Sequence, residues 1–399
     1  MKSDIHNCQG QIERKLQELS NSNLISESNK KVMVRFYGAI VSEGLQVTTI
    51  HNYLGHLFDL AKFFEKDFEK AGKEDIVQVV QKIETSKWAP ATKATYKLTL
   101  KKFYKWLRNS EEGYPAEVRW IKIRQRSFRK LPEEILTEDD IKKMVDAAEG
   151  VRNKAFVFGL YDSGCRIGEF ATLRLKNVSS DKHSAIIIVD GKTGSRRIRL
   201  FESSPFIQTW IENHPCKDDP NAPLWVGQGT RNKYKQLAYA SCVSLVKMVA
   251  KKAGIKKRVY LHAFRHARAT FLAKNLPESQ LRQIMGWAPD SDMVAIYVHA
   301  SGRDTDEALL KIYGVKTEEQ KEPALTQKVC SRCSHVNSSL SKFCSKCAMA
   351  LNERTIIDVD EKRRECDEVM RTLMQDNEFK ALMTRKISEL GMVERIQKL

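Results

Sequence analysis

No stretch of this 399-residue sequence approaches the ~20 consecutive apolar residues that a membrane-spanning helix needs, which argues against a helical membrane protein. The first residues, MKSDIHNCQGQIERK, lack the apolar core of a secretory signal, and the reading is a cytoplasmic protein. Paired cysteines are scarce as well. Of nine cysteines, Cys8, Cys165, Cys216, Cys242 and Cys366 stand alone, a usage that suits a reducing compartment better than a disulfide framework. The sequence has no Walker-type phosphate loop and no convincing set of carboxylates for magnesium. Acidic residues are in deficit: 50 Asp+Glu face 68 Lys+Arg, a formal charge of +18. That surplus favours a polyanionic partner, nucleic acid first, although an ordinary basic enzyme has a similar balance.

What is present is mainly helical pattern. Apolar residues recur at helical spacing through Tyr53, Leu54, Leu57, Phe58, Leu60, Ala61 and Phe64, and again through Tyr96, Leu100, Phe103, Tyr104 and Leu107. Gly44 and Ala89-Pro90 break the pattern, and Thr48 and Thr92 are the expected N-caps. Residues 11–118 therefore read as a compact helical domain. Residues 119–135 form a linker whose string RWIKIRQRSFRK holds six basic residues and no acidic one. Lys122, Arg124, Arg126, Arg129 and Lys130 give it the charge to lie along a phosphate backbone. Thr137 and Asp140 have the spacing of a capping box opening a helix over Asp140 to Glu149. Residues 136–314 read as a second, mostly helical domain. Its exception is a hairpin, with Ala185 to Val189 and Arg196 to Phe201 as strands and Asp190-Gly191 as turn signal. Trp210, Trp225 and a helix over Tyr239 to Ala253 are expected in its core. The fold class is thus mainly α with a small β hairpin, an α+β arrangement.

Four strings in this second domain carry the chemistry: GCRIGE, DGKTGSRR, HAFRH and MGWAPDSDMVAIYVH. They hold Arg166, Lys192, His262, Arg265, Trp287 and Tyr297. A phosphodiester undergoing transfer needs cations around its non-bridging oxygens, a proton donor for the leaving oxygen, and a nucleophile. Two arginines, a lysine, a histidine and a tyrosine supply that set. Each string alone has a plainer meaning. Arg166 with Glu169 is equally a surface pair on a helix, Lys192 a basic hairpin tip, and Tyr297 a core tyrosine on an amphipathic helix. His262 and Arg265, three apart, share one helix face, and His266 reads as a polar group packed behind Arg265.

Taken together and in this order, the four strings resemble the catalytic signature of the tyrosine recombinases, the integrase family that cuts and rejoins DNA through a phosphotyrosine. The resemblance covers roughly Gln11 to Gly314 and implies a helical core-binding domain followed by a catalytic domain. It implies that Arg166 and Arg265 are the catalytic arginines, with Glu169 the acid behind the first, and that Lys192 is the general acid for the 5′-hydroxyl leaving group. His262 follows the family's His-x-x-Arg-His box. Trp287 stands where many relatives have histidine; indole can donate one hydrogen bond but cannot take a proton. Tyr297 matches the nucleophile, and Arg196 and Arg197 read as contacts to the DNA backbone. The ester retains the bond energy, so rejoining needs neither ATP nor a metal. By the same resemblance, four protomers assemble on double-stranded DNA, with a short helix over Asp304 to Tyr313 as the contact to a neighbouring protomer.

Beyond a linker at 315–327 the sequence leaves that resemblance. Cys330, Cys333, Cys344 and Cys347 form two CxxC knuckles ten residues apart. Four thiolates at this spacing suit one structural zinc ion in a ribbon at residues 328–350, with two redox dithiols as the alternative reading. Lys328, Arg332, Lys342 and Lys346 lie nearby, for DNA or protein contact. Residues 356–399 read as an amphipathic helical tail, its apolar positions running through Val369, Leu373, Phe379, Leu382, Met383, Ile387, Leu390 and Val393. The functional reading is a site-specific DNA recombinase. Three rivals stay open. A type IB topoisomerase-like enzyme would relax DNA without recombined joints, a non-catalytic DNA-binding protein of the same fold would have no use for Tyr297, and an adaptor would work through its zinc tail.

Overall fold

The computed structural model describes residues 5–123, 134–181, 184–191, 194–230, 232–289, 291, 293–298, 313, 325 and 327–389. The chain divides into two compact units, Met1–Leu131 with Leu237–Cys242, and Pro132–Gln236 with Val243–Leu399.

The first unit is helical: α1 (Cys8–Asn21), α2 (Glu27–Ser42), α3 (Val47–Ala61), α4 (Lys73–Thr85), α5 (Pro90–Leu107) and the short α6 (Ala116–Arg119). The apolar stripes of α3 and α5 turn inward, with Leu54, Leu57, Phe58, Leu60, Leu100, Phe103 and Tyr104 buried. Aromatic edges lock the centre. Phe36 and Phe68 each meet Phe103 edge-on, with ring centroids 5.3 and 4.9 Å apart. Two caps differ from expectation. Thr48 and Thr92 lie inside the first turns of α3 and α5, whose N-caps are Gln46 and Ala89. For α5 the reason is Pro90 at the first helical position, where its fixed φ suits the helix and its missing N–H is not needed.

In the second unit Thr137 does cap α7 (Glu138–Ala147): Asp140 N donates to Thr137 Oγ1 (3.2 Å), and Thr137 N donates back to Asp140 Oδ2 (2.9 Å). The helix starts directly after this cap, two residues before its expected start. α8 (Val151–Ser163) forms the centre, with Phe156, Phe158, Leu160 and Tyr161 all buried. Trp225 packs against Phe156 and Phe170, at 5.1 and 4.9 Å between centroids, and its indole N–H donates to Phe170 O. α9 (Ile167–Ala171) follows, and then an antiparallel sheet β1-β2-β3 of Val178–Ser180, Ala185–Gly191 and Gly194–Leu200. β2 and β3 pair from Ala185↔Leu200 to Gly191↔Gly194. The strands run past the expected Asp190-Gly191 turn to Gly191↔Gly194, residues 192–193 lie outside the described residues, and β1 was not foreseen. α10 (Ser204–Glu212), α11 (Tyr239–Lys252), α12 (Leu261–Asn275), α13 (Glu278–Met285) and α14 (Met293–Val298) complete the chain up to residue 298.

A two-stranded β4-β5 element (Lys328–Val329, Val336–Asn337) carries the cysteine knuckles, and α15 (Glu353–Leu373) and α16 (Asn377–Glu389) follow. These last helices bury only Thr355 among their described residues, and Val369, Leu373 and Leu382 stand exposed. The expected 304–313 helix lies outside the described residues except for Tyr313, as do Leu390, Val393 and most of the 315–327 linker.

Candidate active site

The site begins where α8 ends. Gly164 closes that helix in the left-handed region (φ 58°), which glycine enters without the Cβ penalty other residues meet. Two residues on, Arg166 sits at the N-cap of α9, and Glu169 at the third helical position reaches back to it. Arg166 N donates to Glu169 Oε2 (3.0 Å) and Arg166 Nη1 to Glu169 Oε1 (3.0 Å), while Nη2 donates to Gly286 O (3.1 Å). Arg265, one turn into α12 and 2% exposed, donates to two carbonyls: Gly164 O at 2.9 Å and Met285 O at 2.6 Å. Burial and the neighbouring Arg166 pull its guanidinium down to about 10. Arg265 stays protonated at neutral pH, but the direction shows a cation short of counter-charge.

Arg196 departs from expectation. Rather than facing a DNA backbone, its side chain is 9% exposed, and Nη2 donates to Glu169 Oε2 (2.7 Å) and Nε to Ile284 O (3.0 Å). The strand alternation decides this. Positions 196, 198 and 200 share a face, and Ile198 and Leu200 are buried. Arg197, on the other face, is exposed, as is Lys122. Glu169 thus stands between two arginines with Arg265 near, one acid among three cations. Burial works to raise its carboxyl, but the bonds from Arg196 and then Arg166 outweigh that and leave it below its ordinary 4.5.

A group depressed in this way contributes stability that is present above pH 4.5 and is lost as the pH falls through the folded value. Acid below about pH 4 should therefore loosen this unit, which a pH series of thermal melts checks. Glu169→Ala should cost about 3–5 kcal/mol, since it leaves buried guanidinium groups unpaired. A denaturation midpoint equal to wild type would refute that role.

The hairpin leads into the same place. A Cβ at Gly191 would lie 2.5 Å from Glu169 Oε1, so only glycine lets the end of β2 pass this close. Lys192 itself lies outside the described residues, as do Arg124, Arg126, Arg129 and Lys130. Gly286, at φ 61°, turns the chain after α13 with no room for a Cβ beside the Arg196 guanidinium (2.8 Å).

Tyr297 on α14 is 4% exposed and stacks on Trp287, ring centroids 5.3 Å apart and planes 12° from parallel. Trp287 also meets the Arg265 guanidinium, 5.7 Å from its ring centroid. Burial pushes the Tyr297 phenol up to about 12, against the pull of Arg265. The phenol oxygen and His266 Nδ1 form a short hydrogen bond. His262 is exposed and meets His266 edge to face at 4.8 Å. Arg166 and Arg265 thus meet the α8–α9 corner, Trp287 and Tyr297 follow in a stack beside Arg265, and His262 joins Tyr297 through His266. His266 was assigned to packing, and its contact with the phenol was not foreseen. The signal available was its place one residue past Arg265 at the start of the same helix.

The four cysteines also converge. Their sulfurs all lie within 4.8 Å of one another, with Cys330–Cys347 and Cys333–Cys344 each 3.6 Å apart. Lys328, counted above among cations near the ribbon, turns its ammonium to Ser341 O (3.2 Å) instead.

A cluster of arginines around one buried acid, with a stacked tyrosine at its edge, has the chemistry to hold a phosphate beside a hydroxyl nucleophile. The phage integrase family matches residues 134–303. Curated relatives include tyrosine recombinase XerA of Pyrococcus horikoshii, 27% identical over 72% of this chain and 96% of its own length. XerD of Caulobacter vibrioides is 26% identical over 59% and 79% respectively. The fold is also that of XerH bound to its difH substrate (18% identical, TM-score 0.55, 78% of this chain, 98% of that one). A lambda integrase tetramer bound to a Holliday junction matches at 16% identity and TM-score 0.51, over 66% and 78%. The match over residues 134–303 and these relatives support a tyrosine recombinase with a phage integrase domain. Among the described residues no helix is long and apolar enough to cross a membrane.

Proposed function

We propose that this protein recombines duplex DNA at specific sites through a 3′-phosphotyrosine intermediate, with Arg166, Lys192, His262, Arg265, Trp287 and Tyr297 as its catalytic residues. Arg166 and Arg265 bind the non-bridging oxygens of the scissile phosphate; bidentate guanidinium contacts suit that role. His262 adds a donor from the exposed side, and Trp287 walls the pocket and orients the tyrosine. Tyr297 Oη attacks phosphorus, and its proton passes to His266 Nδ1. The bond from phosphorus to the 5′ oxygen breaks as Lys192 delivers a proton to that oxygen. The observation that carries this reading is the Tyr297 phenol hydrogen-bonded to His266 and stacked on Trp287 beside Arg265. Arg197, Lys122 and the basic run Arg124, Arg126, Arg129 and Lys130 supply sequence-independent contacts to phosphates. The lambda integrase tetramer supports assembly of four protomers on the paired duplexes.

The test is to incubate the full chain with two plasmids carrying its site, without added magnesium or chelator, and quench with detergent. Protein joined covalently to DNA through Tyr297, mapped by peptide mass spectrometry, together with recombined joints, is the expected result. Relaxation without joints would instead make it a topoisomerase-like strand cutter. An absence of adduct at a DNA site shown to be bound would remove the enzymatic reading.

Cys330, Cys333, Cys344 and Cys347 fit a structural zinc ion. Tetrahedral Zn–S bonds of about 2.3 Å place neighbouring sulfurs about 3.8 Å apart, near the 3.6 Å seen. The ion would close the two knuckles, whose segment has little apolar core of its own. One zinc per chain by elemental analysis is expected, and its loss from the Cys330→Ser/Cys333→Ser variant. A folded, metal-free wild-type segment would overturn this.

A further inference from the structure

The ribbon is not loose on its linker. Glu202, just past β3, is buried at 8% exposure, and three donors of the ribbon surround its Oε2: Ser338 Oγ (3.2 Å), Ser339 N (2.9 Å) and Ser339 Oγ (2.7 Å). Ser338 and Ser339 are buried in turn. They directly follow Asn337, whose Oδ1 accepts from Ser345 N (3.0 Å) inside the second knuckle, so the loop reaching Glu202 is tied to the cysteine cluster. A buried carboxylate needs such donors. Without the ribbon this acid would lose all three.

The seat leads on into the catalytic helix. Ser203, next to Glu202, gives both its N–H (3.0 Å) and its hydroxyl (2.9 Å) to Asp162 Oδ2, and Arg268 Nη2 donates to Asp162 Oδ1 (3.0 Å). Asp162 lies at the end of α8, two residues before the Gly164 carbonyl that holds Arg265. Arg268 lies on α12, three residues beyond Arg265 and two beyond His266. We propose that the Ser338–Ser339 loop of the zinc ribbon docks on Glu202 as a brace within the chain, steadying the end of α8 and the α12 residues His262, Arg265 and His266 through Ser203, Asp162 and Arg268. The partner that this surface fits is therefore the protein's own metal-closed ribbon, and the tail outside the recombinase family becomes part of the catalytic unit.

Hydrogen exchange on the full chain tests the docking without reference to strand transfer. In Glu202→Gln the carboxamide can offer only a neutral oxygen to the Ser339 N–H and hydroxyl, so the charge that strengthens those bonds is lost. Exchange across residues 337–341 should rise by about tenfold or more, as expected for losing a hydrogen bond to a charged group, with zinc still at one per chain. Peptides from the first turns of α12 should exchange faster too, and adduct formation should slow. Ser339→Ala, made from the ribbon side, should act in the same direction and add little to Glu202→Gln in the double variant; it also carries the test if Glu202→Gln fails to fold. Unchanged exchange at 337–341 in both single variants would overturn the docking. Faster exchange there, with α12 and the adduct rate unmoved, would overturn the brace. Zinc lost from Glu202→Gln would place Glu202 in the folding of the ribbon itself, and would also overturn the proposal. A wild type that docks its ribbon but forms no adduct would count only against the recombinase reading.

Discussion

Tyr297→Phe should form no covalent DNA adduct at all, while folding and binding DNA as wild type does. The phenyl ring keeps the stacking on Trp287, 5.3 Å between centroids, so the packing around α14 survives. What goes is the oxygen proposed to attack phosphorus and its hydrogen bond to His266. One such bond contributes about 1 kcal/mol net to stability, too little to unfold a unit whose core is the buried centre of α8. Gel shift on a site-bearing duplex, melting temperature and detergent-quenched adduct separate the three properties. An adduct of equal yield in both proteins would displace Tyr297 as nucleophile. Loss of DNA binding along with the adduct would show that the variant reports on structure instead.

His266→Ala should slow adduct formation by about 10²–10⁴-fold, the usual worth of a positioned proton acceptor. With the phenol pushed up to about 12, only about one tyrosine in 10⁵ is ionised at pH 7, so attack needs somewhere for the proton to go. His266 Nδ1 is the imidazole nitrogen on that oxygen, while His262 is exposed and meets His266 by its ring. Two readouts distinguish acceptor from spacer. The variant's rate should climb about tenfold per pH unit between pH 7 and 9, because the phenolate fraction does. A duplex with sulfur as the 5′ bridging atom has a leaving group that requires no proton. It should rescue Lys192→Ala and leave His266→Ala slow. A variant as fast as wild type, or one slow at every pH and rescued by sulfur, would remove His266 from this role.

Much of the site was legible because its chemistry is local. Arg166 and Glu169 are three residues apart, and a helix beginning between them brings backbone and side chain into the same hydrogen-bonded corner. The capping box at Thr137 and Asp140 follows the same logic. The four cysteines needed only their spacing to suggest convergence. Arg196 was legible in principle, since strand alternation puts it with Ile198 and Leu200. Its reading as a DNA contact weighed its charge above its register. His266 was read as packing because the helix period alone does not say what stands opposite a residue, and its partner comes from a segment thirty-one residues away.

The amino-acid sequence by itself determined the helical character, the hairpin, the four chemical strings and the cysteine spacing, because each rests on interactions among near neighbours or on periodic burial. Only the tertiary structure decided which arginine shares Glu169, that the phenol meets His266, and that Glu202 receives the ribbon. Those contacts join elements up to 137 residues apart. They form because burying a charge requires a partner, wherever in the chain that partner lies.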